Sequence, residues 1–450
     1  MGGHSSEQLE RRLGFGGATA VNVLAMIGVG PFVTIPLLLA AMGGPQAMLG
    51  WFIGAIVALA DGLVWAELGA AMPRSGGGYQ YLLEAYGPHG PGRLFSFLYL
   101  WQTVAGMPLV MASGAVGFAH YASFLWPSMT VWQSKALAMA ACAVAAAFIY
   151  RRIDTIGRWS VALGVLPLAV GAWIVIDGAM HGSGAVIVFP PGAWELSRGF
   201  WLGLGGATLY ATYDYFGYNT INGIGGEVVR PAATIPRSIL TAIVIVCLLY
   251  FSMSLSIISV LPWRQAMASQ FVVSDFIARL HGARLASVMT IGILVIAMSS
   301  LYANMLTFSR VPYAAAADGR FFRVFARVHP TGHFPSFSVA FMGAAAALCS
   351  LLDLDALINT VTVLYLMIAA VPMVPAVTAL RRRRPDLPRP FRMWLYPLPS
   401  IVAMAGWLFI IATSGWKFIA PSLAVVVIGI AAYLWRARNS REWPFATNKE

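Results

Sequence analysis

The stretch ATAVNVLAMIGVGPFVTIPLLLAAM (Ala18–Met42) decides the fold. It carries no charged side chain and is longer than the roughly 20 apolar residues a helix needs to cross a bilayer core. Yet Gly28-Val29-Gly30-Pro31-Phe32 interrupts it in the middle. Glycine weakens a helix, and Pro31 removes a backbone donor. Exposed backbone at membrane depth is tolerated only where protein or a water-filled cavity surrounds it. The stretch therefore predicts a broken span beside a cavity.

A second stretch behaves alike. TYDYFGYNTINGIGGE (Thr212–Glu227) closes another apolar run, with Gly217-Tyr218-Asn219, Asn222-Gly223 and Gly225-Gly226 inside it. Interrupted helices at corresponding positions of two halves are the best sequence pointer to the midplane site of a transporter.

Composition agrees with the membrane. The 450 residues hold 29 basic and 17 acidic side chains, 10% of the chain, where a soluble domain carries about 25%. The hydrophobic share is 59% and the mean hydropathy +0.74, which excludes a cytosolic enzyme, a disordered tail or a fibrous repeat. Cys142, Cys247 and Cys349 sit in apolar runs and read as small buried hydrophobes. Residues 1–15 are polar, and no short apolar segment with a small-residue cleavage site follows them, so the first run is expected to be a true span.

Twelve apolar runs are expected to span: 16–42, 47–72, 90–122, 131–150, 156–179, 199–226, 236–262, 284–310, 336–353, 357–380, 394–413 and 417–436. Placing the N-terminus in the cytoplasm puts 23 of the 29 basic residues on that side, leaving Lys135, Arg198, Arg264, Arg279, Arg284 and Lys417 opposite. This bias predicts cytoplasmic termini, and it turns the net charge of +12 into a topology signal. No basic stripe with interleaved aromatics points to nucleic acid. Arg381–Arg384 reads as a cytoplasmic anchor. Residues 311–330 read as a short amphipathic helix whose Phe321, Phe322 and Phe325 face the membrane, and 180–198 as an irregular external loop.

If spans 1–5 and 6–10 are repeats, the odd number of spans makes the second copy inverted, and spans one and six become partners. The expected fold is an all-α integral membrane protein with twelve transmembrane helices. A 5+5 inverted repeat with broken helices 1 and 6 is followed by two extra helices. The expected division is 1–15 cytoplasmic segment, 16–380 transport core, 381–393 basic cytoplasmic loop, 394–436 helices 11 and 12, and 437–450 cytoplasmic tail.

Four ordered motifs resemble the amino acid–polyamine–organocation permease superfamily. They are MIGVGPF (Met26–Phe32), AELGAAMPRSGGGYQYLLEAYGP (Ala66–Pro88), YFGYNTINGIGGEVVRPAATIPRSI (Tyr215–Ile239) and SRVPYAAAADGRFFRVFARVHP (Ser309–Pro330). PRSGGGY and the Thr-Ile-Asn of span six are similar to L-type amino acid transporters. Gly30-Pro31-Phe32, Asp61 and Tyr150–Leu168 are similar to the polyamine subgroup. The chain departs from the pattern in three places. Val29 replaces a serine, span five lacks the lysine of many proton-coupled relatives, and span three lacks the acid typical of polyamine carriers.

The resemblance implies an α-amino acid held between the two breaks, and the residues suit it. The half-helix starting near Pro31 offers the amides of Val29, Gly30 and Phe32 to a carboxylate. Carbonyls around Met26, Ile27 and Gly28, with those near Tyr213 and Gly217 in span six, offer acceptors to an ammonium. Asn219 completes the substrate-binding set, and the resemblance makes Tyr213 an aromatic gate.

Asp214 is the sharpest single residue, since a charge inside a span is costly unless paired or wet. Three roles are open: binding a substrate cation, taking and releasing a proton, or serving the structure as a carboxylate hydrogen-bonded to neighbouring Tyr or Thr hydroxyls. Asp61 is a second ion or proton candidate, with packing as its simpler role. In the wider fold Ser299 and Ser300, near Asn304, belong to a sodium site. Glu227, Arg230 and Arg237 read as a cytoplasmic gate.

The expected activity is secondary transport of amino acids by alternating access, with a polyamine or other organic cation as the alternative substrate. A channel lacks its repeated pore loop here, and a membrane-embedded enzyme its catalytic constellation. No cofactor or metal is expected, and the seven His show no ligand spacing. The expected partners are a small-molecule substrate and the lipid bilayer of the cytoplasmic membrane, around a monomer or homodimer. A single-span accessory subunit is left open.

Overall fold

The computed structural model describes residues 11–73, 77–149, 156–184, 187–329 and 334–445, the side chains of 156–164 excepted. Arg74, Arg151, Arg152, Lys449 and the Arg158 side chain therefore lie outside the described residues. The helices run α1 (Phe15–Met26), α2 (Gly30–Met42), α3 (Met48–Ala71), α4 (Gly78–Tyr86), α5 (Gly92–Leu125), α6 (Val131–Ile149), α7 (Ile156–His181), α8 (Arg198–Tyr215) and α9 (Pro231–Val260). They continue with α10 (Trp263–Ala268), α11 (Val272–His281), α12 (Ala283–Ala317), α13 (Ser336–Cys349), α14 (Leu354–Tyr365), α15 (Val371–Arg383), α16 (Leu398–Thr413) and α17 (Trp416–Ser440). Among the described residues the β pairing is a single bridge, Leu13 to Val228.

Among the described residues, seven helical rods are long and apolar enough to cross a membrane: α3, α5, α6, α9, α12, the continuous α14–α15 and α17. The bent pair α1 and α2, kinked by 53° where MIGVGPF predicts a break, makes an eighth. Helices α13 and α16 and the 165–181 part of α7 are apolar but shorter.

Small residues bring the rods together. On α3, Gly50 and Gly54 lie against Ala207 and Ala211 of α8, and Gly62 against Ile243 of α9. A Cβ at Gly50 would stand 2.6 Å from the Ala207 carbonyl carbon, so the two backbones touch. Helices α1, α2, α3, α8 and α9 form one packed group, while α5 packs on α6, α12, α13 and α14. Trp51, Tyr215 and Tyr250 fill the centre of the first group, with ring centroids 5.5–6.3 Å apart.

Three local expectations change. Residues 311–330 are not a separate amphipathic helix: α12 runs on to Ala317, and a short 3-10 turn covers Arg323–Ala326. Phe321 and Phe325 are buried at 3% and 6% exposure, against Phe97 and against Phe337 and Phe341. Aromatic partners from α5 and α13 are close enough to take the rings that the sequence assigns to lipid.

The residues after span seven form two further helices, α10 and α11. In α11, Val272, Val273, Phe276 and Ile277 are buried, with Asp275 in the first turn and Arg279 and His281 in the last. His181 and His281, scattered in sequence, meet on Asp177: His281 Nε2 is 2.8 Å from Oδ2 and His181 Nδ1 3.9 Å from Oδ1. Finally, Arg381 is more than an anchor. Its guanidinium donates to both Glu67 oxygens at 2.8 and 2.7 Å and lies 3.8 Å over the Tyr396 ring. Glu67 also accepts from the Met393 amide at 2.8 Å, so α3, α15 and the basic loop meet at one carboxylate.

Two glycines test the packing. Gly50→Ala is expected to lower stability by about 1–3 kcal/mol, because the added methyl meets backbone. Gly292→Ala on α12 meets nothing within 4 Å and is expected to be neutral or to stabilise by up to ~1 kcal/mol. Thermal unfolding of the two variants in detergent, followed by tryptophan fluorescence, checks both.

Candidate functional site

The site begins with what ends α1. Ile27 closes that helix with its amide on Val23 O at 2.9 Å, and α2 starts at Gly30 with Pro31 behind it. The Phe32 amide donates to Val29 O at 3.1 Å, so it turns inward and is not a free donor. This corrects the donor set: among the described residues, the amides of Gly28, Val29 and Gly30 are the ones left without a backbone partner. The Met26 carbonyl accepts from the Tyr250 hydroxyl at 3.0 Å, and the Phe32 carbonyl from the Tyr121 hydroxyl at 2.7 Å.

Span six breaks at Tyr215. Beyond it the chain passes through Gly217 and then two 3-10 turns, Thr220–Gly223 and Gly225–Glu227. Gly217 has φ +114°, and a Cβ there would stand 2.8 Å from the Ala25 carbonyl carbon and 3.0 Å from the Met26 amide. Only glycine allows that approach, so the second break lies on the end of α1. The Asn22 side chain accepts from the Ile221 amide at 2.9 Å and ties the two together. The carbonyls of Tyr213 and Gly217, expected to serve an ammonium, accept instead from Phe216 and Thr220 within the turn. Asn219 reaches the Tyr365 hydroxyl at 3.5 Å.

Asp214 lies at the first turn of α2. One carboxylate oxygen accepts from the Thr34 hydroxyl; the other, Oδ1, is buried with no hydrogen-bond partner among the described residues. The carboxylate rests in the notch left by Gly30, where any Cβ would collide with Oδ1. Asp214 is 3% exposed, and none of the described Lys, Arg or His side chains pairs with it. Beside it the Tyr213 hydroxyl is 2.6 Å from Ser113 Oγ of α5. The breaks therefore sit where the two helix groups meet.

The remaining candidates separate. Ser300 Oγ faces Gly28 at the first break, 2.9 Å from where a Cβ would stand, and accepts from Asn304 at 3.5 Å. Ser299 does not face the break; its hydroxyl donates to Val295 O of its own helix at 2.7 Å. Asp61 has both oxygens engaged, by the Tyr218 hydroxyl at 2.5 Å and the Trp407 indole at 3.3 Å. It pins the span-six turn to α3 and α16.

Among the described residues no ion pair joins Glu227 to Arg230 or Arg237. The Glu227 carbonyl instead accepts from the amides of Arg12 and Leu13 at 3.0 Å each, and Val229 donates to Leu13 O at 2.8 Å. Arg230, at φ +48°, caps α9 ahead of Pro231. No group of three His, Cys, Asp or Glu among the described residues is placed to hold a metal.

Thr34, Ser113, Tyr250 and Asn22 are site residues that the sequence does not single out. Thr34 alone leaves a signal, standing one helical turn after Gly30 and so on the same face.

An all-helical chain of apolar rods, with two helices broken against each other at the meeting of two helix groups, defines a membrane transporter. The family model described as Amino acid permease matches residues 13–437. The chain belongs to that family. It is 26% identical to the serine/threonine exchanger SteT of Bacillus subtilis (strain 168), over 94% of this chain and 95% of the relative. It is 31% identical to the uncharacterized transporter Rv1999c of Mycobacterium tuberculosis (strain ATCC 25618 / H37Rv), over 95% and 91%. The mouse large neutral amino acids transporter small subunit 2 is 26% identical, over 94% and 81%.

Removing the Tyr218 hydroxyl is the direct test of the Asp61 pin. Tyr218→Phe strips a buried carboxylate of one partner and is expected to cost about 1–3 kcal/mol. The expected signature is a lower unfolding temperature, measured by the same fluorescence melt.

Proposed function

We propose that this chain carries amino acids across the cytoplasmic membrane by alternating access, with the substrate held between the breaks of spans one and six. The observation that supports this best is the closure of one break on the other: Gly217 on Ala25 and Met26, and Asp214 in the notch of Gly30. The amides of Gly28, Val29 and Gly30 at the positive end of α2 serve the substrate carboxylate. The Ile27 carbonyl at the end of α1 serves its ammonium. Tyr213, bonded to Ser113, closes over the substrate.

In this reading twelve helices span the bilayer, and α7, α8 with its turns, α13 and α16 supply the crossings beyond the longer rods. Residues 16–380 form the inverted-repeat core, 381–393 a basic cytoplasmic loop, 394–436 the two added helices, and both termini are cytoplasmic. Serine and threonine, branched-chain, cationic and large neutral amino acids appear in the names of the relatives. They set the panel to test. An organic amine without a carboxylate is the second reading, favoured by the buried Asp214.

Thermal unfolding of purified protein with L-serine, L-threonine, L-leucine, L-arginine or putrescine distinguishes the two, since a ligand at 100 times its Kd stabilises by about 2.7 kcal/mol. Stabilisation by at least one amino acid is expected; stabilisation by putrescine alone supports the second reading. Gly30→Leu is expected to abolish uptake in proteoliposomes while the protein still elutes as a folded species. Uptake at the wild-type rate would remove the site from the break.

A further inference from the structure

The placement of Asp214 bears on what travels with the substrate, given the amino acid reading above. Its free oxygen, Oδ1, lies over Gly30 at the donor end of the break. That is the end at which the substrate's own carboxylate is read to bind. Two carboxylates in one water-poor site cannot both stay ionised unless a cation joins them.

The titratable groups around Asp214 supply none. Tyr213 and Tyr215 on its own helix and Tyr250 on α9 face it, with Cys247 beside Tyr215. Phenols and a thiol are neutral at physiological pH. The sequence of α2 has no titratable residue. On α3, Asp61 is turned to Tyr218 and Trp407, and on α14, Asp355 is turned to Tyr210 and Asn359. The charge to be cancelled therefore has to come from outside the protein.

We infer that Asp214 is the proton carrier of a symport cycle. The carboxyl takes one proton from the side on which the substrate enters, and the resulting Oδ1–H donates a hydrogen bond to the substrate carboxylate. After the helices rearrange, the substrate leaves, Oδ1 returns its proton to water on the far side, and the Thr34 hydroxyl keeps Oδ2 bonded throughout. One proton crosses with each substrate, and no other co-reactant is consumed. This route needs no lysine in span five, where the chain has none.

The experiment uses full-length protein in proteoliposomes held at zero membrane potential, with L-serine, L-threonine, L-leucine and L-arginine assayed separately. A gradient of one pH unit, acidic outside, is expected to drive about tenfold accumulation by the wild type. Trapped pyranine should report acidification of the lumen when the amino acid is added. Asp214→Asn retains an acceptor for Thr34 and presents an N–H where Oδ1–H would stand, but it cannot release a proton. Its exchange of internal for external substrate is expected to fall by about tenfold yet remain measurable, with an accumulation ratio near one and no pyranine signal.

Accumulation driven by the gradient in Asp214→Asn overturns the inference. So does complete loss of exchange in a folded variant, which would assign Asp214 to the substrate's ammonium. The wild-type pyranine trace decides without any variant: exchange with no proton entry overturns this inference alone. Absence of exchange with all four amino acids overturns the amino acid reading as well.

Discussion

Inside hydrocarbon every backbone N–H and C=O needs a partner, and the rest of this structure follows from how the two breaks meet that demand. Each break is capped in part by the other and in part by tyrosines of α5 and α9. Gly217 lies on the end of α1, Asn22 receives the Ile221 amide, and the hydroxyls of Tyr250 and Tyr121 take the carbonyls of Met26 and Phe32. Among the described residues at the breaks, the amides of Gly28, Val29 and Gly30, the Ile27 carbonyl and Asp214 Oδ1 keep no backbone or side-chain partner, as do Asn22 Nδ2, Thr212 Oγ1 and the Asn222 amide group. The first five of these make up the proposed site. The surrounding helices hold them in place. Helix α3 touches α8 and α9 through its glycines, and Asp61 fastens the span-six turn to α3 and α16.

The membrane class and both breaks were legible in the sequence because they are local. A scarcity of charge, a run of apolar residues and a Gly-Pro pair need no knowledge of the fold. Asp214 was legible for the same reason, since an acid in an apolar run stands out wherever it sits. Its partners were not. Thr34, Ser113 and Tyr250 are ordinary residues of apolar helices, and only the packing of α2, α5 and α9 around α8 gives them a role. The pair Ser299 and Ser300 shows the limit most plainly. Neighbours on a helix point about 100° apart, so one reaches Gly28 and the other bonds its own helix. No pattern in the sequence chooses between them.

The errors elsewhere have the same origin. The phenylalanines of 311–330 carry a helical stripe that suits a lipid surface, but partners from α5 and α13 lie close enough to bury two of them. Helix α11 was missed although its apolar residues recur with helical spacing, because it is too short to register in a search for runs of bilayer length. The arginines divide in a similar way. Their excess suggests a topology signal, while Arg381 is committed to Glu67 in a forked pair that no count of charges reveals.

The short pairing of Leu13 with Val228 has a consequence for how the chain matures. Its two sides are separated by roughly half the polypeptide, so the bridge cannot form until the loop before α9 has been made. Closing so large a loop is slow compared with forming any single helix. The bridge is therefore set late, and it ties the segment before α1 to the end of the span-six turn.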